Sequence, residues 1–174
     1  MTISNEPNNL EFLPNRLTIT AKQQQAIQAL GDKLKKETPA ELIFVADRNG
    51  QVIASSGEFN REKLGELGAL LAGDLAANEE IAKIIGSKQE NQLILRENEG
   101  EHSFISEAGE FLILFVLTSS QVPLGWARLL IQQVSKELAR TVEPSSNGHN
   151  PVELDLGTEG IGQDLSDNID NLFS

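Results

Sequence analysis

Histidine and cysteine are sparse in this chain, and no serine or histidine stands in a recognised catalytic motif. The 174 residues include two histidines, His102 and His149, and no cysteine. No histidine pair or histidine–cysteine cluster has the spacing of a zinc site. Serines such as Ser103 and Ser119 stand outside the Gly-x-Ser-x-Gly turn that exposes a hydrolase nucleophile. We therefore expect no catalytic residue, no bound metal and no hydrolase activity.

Phosphate-binding glycine motifs are missing from the sequence as well. Neither Gly-x-Gly-x-x-Gly nor Gly-x-x-x-x-Gly-Lys-Ser/Thr occurs, although the chain has 14 glycines. Such loops hold phosphates with backbone N–H groups at the start of a helix. The chain is therefore not expected to bind a nucleotide in either of these ways, and no cofactor is predicted.

Charge and composition restrict the partners and the compartment. The formal charge is −12, and residues 141–174 hold seven acidic and no basic side chains. The remaining 19 acidic and 14 basic residues give −5, which predicts repulsion of nucleic acid phosphates and anionic lipid. The lack of cysteine is typical of a reducing cytosol. No stretch approaches the roughly 20 apolar residues of a spanning helix, so we expect a cytoplasmic protein without membrane insertion.

The first predicted elements are a helix and a hairpin. Thr20 and Gln23 have the spacing of a capping box, which predicts a helix that runs to Lys36. Residues 42–46 are all apolar and predict a central strand buried on both faces. Asn49-Gly50 then predicts a tight hairpin with positive φ at both residues, followed by a strand over residues 51–55.

A second helix is predicted over Arg61–Ile85, and it carries two apolar stripes. One stripe is made of leucines at helical spacing, and a second stripe of small residues runs beside it. Glycine inside a helix costs about 1 kcal/mol relative to alanine, so close backbone approach is expected where it is kept. The small residues either meet the same helix of a second copy, or fit under a packed loop or a solvated face. The predicted dimer interface consists of Gly65, Gly68, Ala69, Ala72 and Ala76.

The rest of the chain predicts three more strands and a closing helix. The strands cover residues 91–97, 101–107 and 111–117, the last being a run of seven apolar residues that fits a central strand. The helix covers residues 125–140. Helices on both faces of a five-stranded sheet account for the two strands that are apolar on both sides.

Residues 41–140 resemble the roadblock/dynein-light-chain domain family. The resemblance rests on the element order α-β-β-α-β-β-β-α, on the first hairpin (residues 44–54), on the end of the small-residue helix (residues 81–86) and on the opening of the last helix (residues 123–128). With the first helix it covers about 120 of the 174 residues. It implies a three-layer α/β sandwich with an antiparallel-type five-stranded sheet, spanning residues 17–140.

The resemblance also implies a function. Family members form homodimers or heterodimers in which the second helices pack together and the sheets join edge to edge. They act as adaptors or regulators of Ras-like small GTPases, and some bacterial members stimulate hydrolysis without inserting an arginine. Two other classes have similar size and composition: an acidic secretion chaperone, whose usual order places three strands before the second helix, and a PAS or GAF sensory module.

The termini and a few single residues are the remaining candidates for recognition. Residues 1–16 predict a flexible arm, and residues 141–174 an acidic, disordered tail. Within the tail, residues 161–173 have the apolar spacing of an amphipathic segment, which either folds on a partner groove or stays solvated and keeps the dimer soluble. Arg48 is either a partner contact or a solvated turn residue, and the Glu79–Glu80–Lys83 group fits solvated surface. The candidate partner contacts are Trp126, Ile169, Leu172 and Phe173.

Overall fold

Three helices and five strands follow one another in the predicted order. The computed structural model describes residues 17–87 and 92–143. The predicted arm over residues 1–16 and residues 144–174 of the tail predicted over residues 141–174, with its segment 161–173, lie outside these residues. The elements are α1 (Ala21–Glu37), β1 (Leu42–Asp47), β2 (Val52–Ser56), α2 (Arg61–Ile85), β3 (Leu93–Glu97), β4 (Glu101–Ala108), β5 (Leu112–Ser119) and α3 (Leu124–Val142).

Both predicted helix starts in the first half of the chain are confirmed. Thr20 Oγ1 accepts the N–H of Gln23 at 3.2 Å, and the Thr20 N–H donates to Gln23 Oε1 at 2.9 Å. This reciprocal capping box satisfies two of the N–H groups that a helix start leaves free. Helix α2 begins after Asn60, whose side chain accepts the N–H groups of Glu62 and Lys63.

The sheet is antiparallel throughout, with the strand order β2-β1-β5-β4-β3. The two uninterrupted apolar runs therefore occupy interior positions, as predicted, with β1 and β5 as direct neighbours. Phe44 lies opposite Phe115 in their register, and the two rings stack with centroids 5.0 Å apart. Two strands precede α2 and three follow it, which is the order that separates this fold from the secretion chaperones.

Two hydrophobic cores lie on opposite faces of the sheet, because successive strand residues point to opposite sides. On β1, Ile43 and Val45 belong to the core covered by α1 and α3, whereas Phe44 belongs to the core covered by α2. The domain is thus a three-layer sandwich, α1 and α3 on one side and α2 on the other.

Two local predictions are wrong. Gly50 has φ +85°, but Asn49 does not have positive φ. Instead, the Asp47 carboxylate accepts the N–H groups of Asn49 at 2.9 Å and Gln51 at 2.8 Å, and Gly50 N–H donates to the Asp47 carbonyl at 2.9 Å. Helix α3 also continues past the predicted end at Arg140, because Val142 is buried in the core beneath it.

Candidate functional site

The buried glycine of α2 has a role inside the subunit. A Cβ atom on Gly68 would lie 2.3 Å from the carbonyl oxygen of Gly50. Because no side chain fits between them, the glycine lets α2 rest directly on the β1–β2 turn. Gly68 is buried within the subunit, and its assignment to a dimer interface stays a prediction.

The other small residues of the predicted interface lie on one flank of α2. Gly65, Ala69 and Ala76 are exposed, and Ala72 is half-buried against the α2 core. Ala72 and Ala76 line a groove of about 280 Å³ beside the β1–β2 and β4–β5 turns, whose other lining residues are Arg48, Leu75, Glu79, Glu110 and Ile113. An interface through Gly65, Ala69, Ala72 and Ala76 stays a prediction.

A second exposed row on α2 was not singled out in the sequence, and it is more apolar. Leu70, Ile81 and Ile84 expose 71%, 55% and 84% of their surface. With two exposed small residues they repeat every three or four positions and share one face at 100° per residue. We call these five residues the outer row: Leu70, Gly73, Ala77, Ile81 and Ile84.

The outer row lies on the outward side of α2, about 140° from its buried leucines, and is turned toward the side of strand β3. Asp74 is on the same flank, about 40° from Leu70 at 100° per residue, and its carboxylate lies 2.7 Å from the guanidinium of Arg96 on β3. The groove that contains Ala72 and Ala76 is on the opposite flank. In the sequence, the outer row is marked only by apolar and small residues every three or four positions. The leucine and alanine stripes of the same helix show this spacing more regularly.

The two edges of the sheet differ in how their backbone is covered. At β2, the side-chain amide of Gln28 on α1 donates to the Ser55 carbonyl at 3.0 Å, and that of Gln24 donates to the Ile53 carbonyl at 3.4 Å. Strand β3 pairs with β4 alone among the described strands. An uncovered edge is a template for pairing with another strand, so the open edge of this sheet is β3.

A charged network ties the first hairpin to α2 and β4. One guanidinium nitrogen of Arg48, Nη1, lies 2.5 Å from Glu79 Oε1 and 3.2 Å from Glu107 Oε1. Arg48 Nε also donates to the Glu110 carbonyl at 3.1 Å. The solvated surface predicted for Arg48 and Glu79 is therefore wrong, because the buried Glu107 carboxylate needs a paired charge.

The same carboxylate reaches the start of the open edge strand. Glu107 Oε2 accepts the N–H of Gln92 at 3.1 Å, and the Glu107 N–H donates to the Gln92 carbonyl at 3.0 Å. Since Gln92 immediately precedes β3, the network positions that strand against β4.

The remaining pair on α2 is solvated, as predicted. Lys83 Nζ lies 2.6 Å from Glu80 Oε1, and both side chains are about two-thirds exposed. The hydrogen bond to Glu80 and its charge raise the pKa of Lys83. Exposed pairs of this kind contribute little to stability.

The candidate chemical groups do not come together in the described part of the chain. His102 is buried on β4, opposite Thr118, and its Nδ1 has no hydrogen-bond partner there. Within residues 17–87 and 92–143, no three His, Cys, Asp or Glu residues are grouped as they would be around a metal ion. Over the same residues, no helix is both long and apolar enough to cross a membrane.

Trp126 is the third residue of α3 and is 39% exposed. Its indole N–H lies 3.5 Å from the Glu37 carbonyl at the end of α1. A partner contact through Trp126 stays a prediction. The other three candidate contacts, Ile169, Leu172 and Phe173, lie outside the described residues.

Comparisons with known proteins agree with this architecture. The sequence profile of the Roadblock/LC7 domain matches residues 26–118. Among solved structures, Myxococcus xanthus MglB is 33% identical, with 66% of this chain and 93% of that chain covered and a TM-score of 0.61. The gliding protein MglB of Thermus thermophilus is 26% identical over 74% of this chain and 97% of that chain, with a TM-score of 0.67. A structure described as MglB with a tetrameric arrangement is 25% identical over 74% and 96%, also with a TM-score of 0.67. No curated protein sequence matches the chain.

Proposed function

The chain belongs to the Roadblock/LC7 domain family, and we propose that it is a homodimeric adaptor that binds and regulates a small Ras-like GTPase. Residues 26–118, more than half of the chain, match the family. The single observation that carries the proposal is the outer row of α2, an exposed apolar face that lies beside an open sheet edge.

The outer row has the composition of a helix–helix contact. Its large members, Leu70, Ile81 and Ile84, are each more than half exposed in the subunit. Burying a leucine or isoleucine side chain fully stabilises by about 1.5–3 kcal/mol. Between them, Gly73 and Ala77 allow two helix backbones to approach closely, and a Cβ built on Gly73 meets nothing within 4 Å in its own subunit. A second α2 fits this surface.

The edges of the sheet support the same pairing. Side-chain amides of α1 occupy carbonyls of β2, whereas β3 is open. Antiparallel pairing of two β3 strands about a two-fold axis leaves both α2 helices on the same side of the joined sheet. Because the outer row is turned toward the β3 side of α2, the same axis brings the two outer rows toward each other.

The proposed partner holds the nucleotide. The chain has no phosphate-binding glycine motif, and family members act on Ras-like GTPases as adaptors or regulators. In a dimer of this kind, the paired α2 helices form a continuous platform, and the groove at Ala72 and Ala76 flanks it on each side. We assign binding of the GTPase to this platform and no catalytic role to any residue of this chain.

The test is a pull-down of the tagged full-length chain from a lysate of its own cells. The lysate is loaded with a non-hydrolysable GTP analogue in one arm and with GDP in the other, and captured proteins are identified by mass spectrometry. We expect a small GTPase, recovered preferentially in the GTP arm, and faster hydrolysis when the two purified proteins are combined.

Recovery of no GTPase in either arm contradicts the proposal. A secreted substrate in its place would favour the chaperone class, and a kinase would favour a PAS or GAF sensor. Binding without any change in hydrolysis or nucleotide exchange would leave the adaptor role and remove the regulatory one.

A further inference from the structure

Charge is unevenly distributed between the layers of the domain. The α1 and α3 sequences contain seven Lys and Arg residues against three Asp and Glu residues, a net +4 in a chain of −12. Helix α2, on the other side of the sheet, has three basic and five acidic residues. The net charge of the chain predicts repulsion of anionic surfaces, but the α1–α3 layer has the opposite sign.

Most of these cations are on the outside of the layer. The two helices run antiparallel, since Gln23 on α1 donates to the Thr141 carbonyl near the end of α3 at 3.0 Å. Lys22 and Lys36 of α1 are exposed, as are Arg128, Lys136 and Arg140 of α3. None of the seven cations forms an ion pair with another described residue.

The three carboxylates of the layer are placed differently. Asp32 is exposed about 40° from Lys36 on α1, where it accepts hydrogen bonds from Gln28 and from the Ser56 hydroxyl at β2. Glu37 and Glu137 are half-buried. At 100° per residue, the exposed Lys22 and Lys36 lie about 40° apart on the side of α1 away from its core residues, and the half-buried Lys33 lies about 20° from Lys22. The outward surface of the layer therefore carries five exposed cations and one exposed carboxylate, Asp32.

Two apolar side chains accompany the cations. Leu129 is 49% exposed and shares the outward face of α3 with Lys136 and Arg140, while Trp126 is 39% exposed one turn before it. Tryptophan is enriched where an apolar phase meets a hydrated one, because its ring is apolar and its N–H is polar. We call this surface the basic face: Lys22, Lys33, Lys36, Trp126, Arg128, Leu129, Lys136 and Arg140.

We propose that the basic face binds the anionic headgroup surface of a membrane as a peripheral contact. Five of the seven cations in the layer are lysines. Lysine is depleted in protein–protein interfaces, where it must be desolvated, whereas clustered Lys and Arg attract anionic lipid while remaining hydrated. The acidic α2 layer lies beyond the sheet, and charges farther away than the Debye length of about 8 Å at physiological salt are largely screened.

Among the described residues, acidic side chains adjoin the basic face at two places, Glu143 directly after α3 and the β3–β4 turn. The β3–β4 turn carries Glu99 and contacts the chain just before α3, where Ser120 N–H donates to the Gly100 carbonyl at 2.9 Å. The test substitutions are therefore placed at Lys22 and Lys136, away from this turn. A glutamate at position 22 falls in the first turn of α1, where the helix dipole favours a negative charge, and position 136 is exposed in mid-helix.

The experiment uses the full-length chain and the fluorescence of Trp126, the only tryptophan. Vesicles of phosphatidylcholine alone are compared with vesicles containing about 30% phosphatidylserine, at low salt and at about 0.5 M salt. We expect cosedimentation and a blue shift of the Trp126 emission with the phosphatidylserine vesicles at low salt, and release at high salt.

Variants locate the contact. The double substitution Lys22→Glu with Lys136→Glu should weaken partitioning onto phosphatidylserine vesicles at least tenfold. Arg61→Glu with Lys63→Glu makes the same charge change at exposed positions of α2, and it should leave partitioning within twofold of wild type. Circular dichroism and a melting curve confirm that both double variants are folded.

Several results would overturn the proposal. They are the absence of binding to phosphatidylserine vesicles at low salt, equal binding to phosphatidylcholine alone, and equal loss in the two double variants. Tighter binding of a single-stranded RNA oligonucleotide than of the vesicles would assign the basic face to nucleic acid instead.

Discussion

Truncating Leu70 should weaken the proposed dimer without unfolding the subunit. Leu70 belongs to the outer row and exposes 71% of its surface, so the subunit core loses little when the side chain is removed. If the dimer contact buries this side chain, its burial stabilises the dimer by about 1–2 kcal/mol. Because a two-fold axis presents each substitution twice, Leu70→Ala should cost about 2–4 kcal/mol of association free energy. This loss corresponds to a dissociation constant about 30-fold to 700-fold higher, since about 1.4 kcal/mol changes an equilibrium constant tenfold.

The assay is sedimentation equilibrium of wild type and variant, with a thermal melt of each at a fixed protein concentration. Leu129→Ala is the matched control, since it makes the same chemical change at an exposed leucine of α3 in the opposite layer. It should leave the dissociation constant unchanged. A dissociation constant of Leu70→Ala within twofold of the wild-type value would refute the outer-row interface. Equal weakening of association in Leu70→Ala and Leu129→Ala would refute it as well.

Further substitutions test three other contacts. Ala72→Glu places a charge in the small-residue groove on the opposite flank of α2, so the dimer mass in sedimentation should be unchanged; dissociation would return the interface to the small residues. Gly68→Ala drives a Cβ against the Gly50 carbonyl and should cost about 1–3 kcal/mol in denaturant unfolding. Gly65→Ala, which meets open space, should stabilise by up to about 1 kcal/mol; equal effects at positions 68 and 65 would contradict the packing argument. Arg48→Ala leaves the Glu107 carboxylate without its cation and, after allowance for the one-third exposure of Arg48, should cost about 1–3 kcal/mol. Arg48→Lys should restore part of that stability, and no loss in Arg48→Ala would contradict the role of the network.

The element order could be predicted from local patterns because each pattern had a single physical meaning. The capping box at Thr20 and Gln23, the apolar run in β1 and the seven-residue run in β5 all report local hydrogen bonding and burial. These features fixed the helix starts, the interior strands and the three layers. The hairpin at Asn49 was predicted wrongly because the Asp47 side chain supplies hydrogen bonds that a dipeptide signal does not include.

The site was less predictable because it depends on contacts between distant segments. Spacing along α2 identified two stripes but could not show that Gly68 faces the Gly50 turn, or that Asp74 pairs with Arg96 on β3. Arg48 looked like a solvated turn residue until the fold brought Glu79 and Glu107 beside it. The net charge of the chain also gave no sign of the basic face. A net charge is a sum over all residues, whereas the position of each charged side chain depends on the layer to which its helix belongs.

The central claim is that this chain is a dimer joined through the outer row of α2 and the β3 edge. The most direct measurement is the mass of the full-length protein by light scattering at micromolar concentration, with hydrogen exchange followed at the β3 backbone amides. For a dimer we expect twice the chain mass of 19.0 kDa and protection of β3 amides that is lost in Leu70→Ala. A mass of one chain, or β3 amides that exchange alike in both proteins, would contradict it.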